Sequence, residues 1–325
     1  MGNTNVTKTT NTVLVPLDGS EKDERALPAA AALADLAGGT LHLIRVLDVP
    51  VDRLSARARR YGVADAAREM RRELERKVER VADRLVADLG RPVTTEVAES
   101  FDVAGVLVDR AAGRDVDVVV MGTRAPGTVE RLLRGSVADR VMRESPRPVL
   151  LVPPRTTDLA EKQLQMRRVL VPLDGSQLSV SAIESLRRLK RWNELEFVLV
   201  EVVTSGFPLV PVAPGLLELT SDPSSAEAYA DRPKVQEARV KAQQRLSDVA
   251  DRLRAAGAKS VRTRVMVNAD PAGAIIRAVR EEGADFIAMT TRGAGGLKRL
   301  ALGSVAEAIV RHAHVPVLLV TPPSR

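Results

Sequence analysis

Apolar and polar positions along the chain follow two different periods. Short runs rich in Val and Leu, at 12–17, 40–47, 92–98, 116–121 and 148–152, read as strands covered on both faces. The stretches between them, 21–37, 63–89, 102–112 and 136–144, read as amphipathic helices. In the longest, Met70, Leu74, Val78, Val81, Leu85 and Leu89 recur at steps of three or four, with Glu73 and Lys77 four apart on the wet side. The same order returns, with strands near 168–173, 195–203, 260–267, 284–290 and 316–320. Strand alternating with helix predicts a parallel sheet with right-handed crossovers. The expected fold is α/β: two tandem doubly wound domains, each of five parallel strands.

The alternation repeats because the sequence does. Val13-Leu14-Val15-Pro16-Leu17-Asp18-Gly19-Ser20 recurs 156 positions on as Val169-Leu170-Val171-Pro172-Leu173-Asp174-Gly175-Ser176. Gly135-Ser136-Val137-Ala138 and Pro148-Val149-Leu150-Leu151-Val152 recur 168 positions on, at Gly303-Ser304-Val305-Ala306 and Pro316-Val317-Leu318-Leu319-Val320. The second copy therefore holds 12 extra residues, best placed in the Pro- and Ser-rich stretch 204–232. This is duplication of a whole domain, with expected bounds 1–153 and 167–325 and a linker at 154–166 that Pro153-Pro154 opens.

Composition narrows the function classes. Cysteine is absent, so disulfides and thiolate metal sites are excluded. Residues 1–12 are polar and no apolar run reaches the ~20 residues of a membrane span. A cytoplasmic location without a membrane partner is the expectation. The net charge is +7, but 49 Lys and Arg are interleaved with 42 Asp and Glu, and aromatic residues are 2%. Few bases can stack on such a surface, so nucleic acid is not the expected partner, although the Arg-rich helix around 57–84 keeps that class in view. The charge adds a mild bias toward anionic ligands.

In doubly wound sheets ligands sit beyond the carboxyl ends of the strands, where strand order reverses. Two loops per copy carry suitable chemistry there. The first holds Asp18-Gly19-Ser20 or Asp174-Gly175-Ser176. Its carboxylate either accepts from a ribose hydroxyl or base amine, or caps the next helix. The second follows the fourth strand as Gly122-Thr123-Arg124-Ala125-Pro126-Gly127, or as Thr290-Thr291-Arg292-Gly293-Ala294-Gly295-Gly296, and ends at a Gly-Ser that opens a helix. Glycine admits an anion close to the backbone, and helix-start amides suit phosphate. Against this, Ser304-Val305-Ala306-Glu307 fits a capping box. The spacing is neither a Walker loop nor the dinucleotide fingerprint.

These residues resemble the universal stress protein family. Its nucleotide-binding members carry Gly, two residues, Gly, nine residues, then Gly-Ser or Gly-Thr. The first copy has Gly122, Ala125 and Gly135-Ser136; the second has Thr290, Gly293 and Gly303-Ser304. Each keeps the spacing and lacks one glycine. The resemblance implies ATP, with Mg2+ carried by the nucleotide. In the first copy it would use Pro16, Leu17 and Asp18 near base and ribose, Val46 and Met121 beside adenine, and Gly122, Arg124, Gly135, Ser136 and Val137 on ribose and phosphates. In the second it would use Pro172, Leu173, Asp174, Val202, Met289, Gly293, Gly303, Ser304 and Val305. Plain core packing is the competing reading for Val46, Met121, Val202 and Met289.

No general base stands beside the phosphate loop, and His42, His312 and His314 form neither a catalytic order nor a metal spacing. The reading is a nucleotide-dependent regulator of the stress response rather than a fast enzyme, with no catalytic residues and at most slow ATP hydrolysis. The alternative is a scaffold of the stress response with relic glycine motifs. Thr290 is expected to crowd the ribose or donate to it, and the first copy to bind at least as tightly as the second. In this family the last strands commonly pair across a dimer, so pairing of the two copies within one chain, a homodimer and an unidentified protein partner are implied.

Overall fold

The computed structural model of the chain describes residues 11–20, 25–48, 63–90, 92–123, 137–154, 165–204, 232–291 and 302–321. Residues 205–231 of the 204–232 insertion and most of the 154–166 linker fall outside the described residues. So do Arg124, Ala125, Gly135, Ser136, Arg292 and Gly293 of the second loops.

The chain divides into two compact units, Met1–Leu164 and Gln165–Arg325. The first runs β1 (Thr12–Pro16), α1 (Leu27–Ala37), β2 (Thr40–Leu47), α2 (Val63–Leu89), β3 (Val93–Glu99), α3 (Val103–Ala111), β4 (Val116–Gly122), α4 (Val137–Glu144) and β5 (Val149–Val152). Its strands are parallel in the order β3-β2-β1-β4-β5. The second runs β6 (Arg168–Leu173), α5 (Gln177–Leu186), β7 (Glu196–Val203), α6 (Pro233–Ala255), β8 (Ser260–Val267), α7 (Pro271–Glu282), β9 (Phe286–Thr290), α8 (Ser304–His312) and β10 (Val317–Val320). Its order, β8-β7-β6-β9-β10, is the same and again parallel. In each unit the chain leaves the first strand on one side and returns for the fourth on the other. Strand order therefore reverses between β1 and β4, and between β6 and β9.

Burial follows the predicted pattern. Val13, Leu14 and Val15 of β1 and Val169, Leu170 and Val171 of β6 are fully enclosed, as strands sandwiched by helices must be. Period-two alternation sends neighbours to opposite faces. Arg45 of β2 faces α2, and Val97, its partner on β3, is buried on that side. Glu96, one residue earlier, reaches the other face and is held by Arg110 of α3 at 2.6 Å.

Most predicted bounds hold within two residues. Two differences have identifiable reasons. The strand expected from 284 begins at Phe286, because Gly283 ends α7 in the left-handed region (φ 60°) and the Ala284 amide still donates to Val279 O. The Asp285 carboxylate then accepts from the amides of Arg167 and Arg168 at 2.8 and 2.7 Å, tying the start of β6. The helix expected from 21 begins at Leu27, with Pro28 in its first turn.

Candidate functional site

The loop after each first strand is a tight turn made by its own Asp-Gly-Ser. Asp18 Oδ1 accepts from the Ser20 amide at 2.7 Å, and Asp174 Oδ1 from the Ser176 amide at 3.0 Å and its hydroxyl at 2.6 Å. The intervening glycines have φ of 79° and 78°, where a side chain is strained. The helix cap is the serine: Ser176 Oγ accepts from the Ser179 amide at 3.2 Å. The capping alternative for Asp174 is thereby corrected, since its carboxylate closes the turn instead. Asp18 and Asp174 are both exposed.

Register sorts the other candidates onto faces. Leu14 pairs with Val119, and Pro16 with Ile44. Two residues along each strand, Pro16, Val46 and Met121 therefore share one face at the carboxyl end of the sheet. In the second unit Leu170 pairs with Ile287 and Pro172 with Val200. That puts Pro172, Val202 and Met289 on the matching face. Met121 and Met289 are buried, while Pro16, Val46, Pro172 and Val202 are half-buried. Leu17 and Leu173, both 7% exposed, turn to the opposite face. Each triad stands beside the exposed Asp of the turn, where strand order reverses.

Thr290 can be placed on a face. It follows Met289 on β9, so its side chain lies on the face away from Pro172, Val202 and Met289, and it is 5% exposed. It does not crowd that face. The start of α8 departs from expectation. Its N-cap is Gly303, with no side-chain cap bond, so Ser304 does not make the capping box. The Glu307 amide donates to Gly303 O, and the Glu307 carboxylate instead binds Arg311 at 2.8 Å. The Gly303 amide donates to Thr291 O at 2.8 Å, which holds the helix start against the end of β9. In the first unit Thr123 and Val152 close the corresponding strand end (N–H to O, 2.9 Å), Gly122 ends β4, and Val137 opens α4 and is exposed. Val305 lies in the first turn of α8, whose N-cap glycine makes no side-chain cap bond.

Two copies of one doubly wound topology, each with an Asp-Gly-Ser turn at its reversal point, invite comparison with known proteins. The model of the universal stress protein family matches residues 9–153 and 166–321. The chain belongs to the universal stress protein family. A universal stress protein of Methanocaldococcus jannaschii is 31% identical over 160 residues, covering 49% of this chain and 84% of that protein. One from Mycolicibacterium smegmatis is 26% identical over 315 residues and covers 95% of this chain and 97% of its own. The crystal structure of a universal stress protein from Archaeoglobus fulgidus shares the fold, with a TM-score of 0.64, 20% identity and 97% of both chains covered.

Within this tandem universal stress protein, the sequence reading missed one group at each turn. Arg45 donates from Nη1 to Leu17 O at 2.9 Å, and its guanidinium lies 3.1 Å from where a Cβ on Gly19 would stand. In the second unit the group beneath Gly175 is Arg245 of α6, which is held by the buried carboxylate of Glu201. That hydrogen bond raises the Arg245 pKa above its ordinary value, against a smaller opposing effect of burial. A charged residue inside an otherwise apolar strand, at 45 and again at 201, was the available signal. Among the described residues no cluster of acidic groups and histidines could hold a metal ion, and no helix is long and apolar enough to cross a membrane.

Proposed function

We propose that each unit binds an adenine nucleotide, ATP with its own Mg2+, and that occupancy regulates a partner surface in the stress response. The observation that carries this reading is the co-facial triad at each reversal point. Pro16, Val46 and Met121, and likewise Pro172, Val202 and Met289, form an apolar face of two half-buried residues and a buried methionine, the chemistry a base would pack on. The exposed carboxylate of Asp18 or Asp174 stands at its edge to accept from a ribose hydroxyl or a base amine. The fit to phosphate rests on the start of α8, where the N-cap is a glycine without a capping side chain and the first amides carry the positive end of the helix dipole. Gly303 leaves room there, and Ser304 and Val305 present the amides. By the repeat, Val137 and the Gly135-Ser136 before it serve the first unit. With Thr290 turned away from the triad, nothing described in the second unit weakens its claim, and the reading assigns one nucleotide to each unit.

A regulator gains only the difference in nucleotide affinity between two states of its loops. Ribose and phosphate contacts at opposite ends of one nucleotide would link the Asp turn to the helix start. The test is to denature freshly purified protein and quantify released nucleotide. The expected result is near-stoichiometric adenine nucleotide, reduced in Asp18→Ala and in Asp174→Ala. An empty protein that also gives no calorimetric signal with Mg-ATP would overturn the reading and favour a scaffold role.

A further inference from the structure

The connection after β3 carries the most exposed large apolar side chain among the described residues. Phe101 is 79% exposed, whereas Phe197 and Phe286 are fully buried. Val137, at the start of α4, is exposed as well. An ion pair brings the two neighbourhoods together: Arg140 of α4 donates from Nη1 to Asp102 Oδ1 at 2.6 Å. Both apolar side chains thus lie at the carboxyl end of the first sheet, on the side that α3 and α4 cover.

Register puts this spot at the rim of the apolar face. Val46 pairs with Ala98 on β3, so Ala98 continues the face of Pro16, Val46 and Met121. Glu96, two residues earlier on the same face, is held by Arg110 of α3, so this is the face toward α3. The Ser100 amide donates to Leu47 O at 3.2 Å, one residue beyond Val46. Phe101 follows as the chain leaves the sheet for α3, which Asp102 caps. An aromatic residue therefore stands at the edge of the face on which the base is proposed to lie.

The second unit shows that the turn itself does not require the ring. Ser100-Phe101-Asp102 is matched 168 positions on by Asn268-Ala269-Asp270. In both turns the first side chain accepts from the aspartate amide, Ser100 Oγ at 3.0 Å and Asn268 Oδ1 at 2.8 Å. In both the aspartate caps the next helix, accepting from the amide of Gly105 or of Gly273 at 3.0 Å. Alanine makes the same turn, so its geometry gives no reason for a phenylalanine at 101. The place of Arg140 is taken by Ala308, so the ion pair that steadies the turn also belongs to the first unit alone.

We infer that Phe101 is a base-stacking residue of the first unit, covering a purine laid on Pro16, Val46 and Met121 and giving this unit a grip on the base that the second lacks. Aromatic rings hold bases through their faces and need no hydrogen-bond partner to do so. Arg140 is a positioning residue, steadying the turn through Asp102. The inference rests on the nucleotide reading and names the part of the nucleotide that the first unit holds hardest.

The experiment is calorimetry on the full chain carrying Asp174→Ala, with Mg-ATP and with the magnesium salt of ribose 5-triphosphate, which lacks the base. Phe101→Ala is expected to weaken ATP about tenfold and to leave the baseless triphosphate within about twofold. Because Ala269 already makes this turn, the variant is expected to fold. In a second chain, Phe101→Trp with Trp192→Phe, the introduced indole is the only one. ATP is expected to quench its fluorescence and ribose 5-triphosphate to leave it unchanged; where the baseless ligand binds too weakly to read by heat, the quench decides. An equal effect of Phe101→Ala on both ligands, no effect on either, or an indole that ATP does not quench would overturn the inference while ATP binding still stood. No ATP binding at all would overturn the nucleotide reading and this inference with it.

Discussion

Arg45 and Glu201 hold the same place in two copies of one fold, yet a guanidinium lies beside the next turn in both. In the first unit it comes from the strand itself. In the second Glu201 draws it from α6, as Arg245, to the same spot. The glutamate side chain is 7% exposed and the arginine 44%, so water reaches only one partner. Removing the arginine strands a buried carboxylate. Arg245→Ala is expected to destabilise the second unit by about 1–3 kcal/mol, less than for a fully buried pair because the arginine is half in water. Glu201→Gln/Arg245→Met should recover most of that loss. Trp192, the chain's single tryptophan, packs edge-on to Phe197 at 6.4 Å, so its fluorescence during urea unfolding reports this unit.

The turn glycines predict a graded series. Gly90 has φ 61° with open space around it, so Gly90→Ala costs the left-handed backbone alone, about 1 kcal/mol. Gly175 has φ 78° and a Cβ there would stand 2.9 Å from Arg245 Nε. Gly175→Ala is expected to cost more, about 2 kcal/mol, as the arginine is pushed from its place. Gly39 carries no backbone strain, but a Cβ would fall 1.8 Å from Asn11 O. Because that contact is backbone on both sides, Gly39→Ala should be the most damaging of the three. Thermal unfolding of the three variants by circular dichroism checks the order.

The repeat and its periods made the fold legible, because strands covered on both faces read as Val- and Leu-rich runs and helices as stripes. The Asp-Gly-Ser loops were legible as loops after the first strands, but that the aspartate closes its own turn while the serine caps the helix is seen only in the hydrogen bonds. What escaped was set by three-dimensional neighbours. Ser304 and Glu307 have the letters of a capping box, but Gly303 is fastened to Thr291 O and takes the cap position. The face that Thr290 takes, opposite to Met289, follows from strand parity and needs the bounds of β9 to be known. The exchange of roles between Arg45 and Arg245 needs the β2 and β7 registers to be seen.

His314, between α8 and β10, gives a pH dependence with a definite sign. Burial, and then the positive charge of Arg280, holds its pKa below the ordinary imidazole value. The folded state therefore resists a proton that the unfolded chain accepts near pH 6.5. The second unit should keep its stability above that pH and lose some as pH falls from 7 to 5. His314→Gln removes the titrating group and should flatten this component. Urea midpoints followed by Trp192 fluorescence at several pH values test it, and an unchanged slope in the variant would assign the loss to other groups.

Thr290 offers the last test, because two accounts of it predict opposite results. If a branched side chain crowded the nucleotide, Thr290→Gly would restore the family's glycine and tighten ATP binding in the second unit, about tenfold for each 1.4 kcal/mol of relieved strain. The structure places the side chain buried on the face away from Pro172, Val202 and Met289. Glycine there removes packed atoms and loosens a central strand, since β9 lies between β6 and β10. The expected outcome is ATP affinity within about threefold of the parent, with a loss of about 1–2 kcal/mol in stability. Calorimetry in an Asp18→Ala background isolates the second unit for the affinity, and Trp192 fluorescence reads the stability. A tenfold gain in affinity would mean that the threonine reaches the nucleotide after all, across the sheet edge rather than along its face.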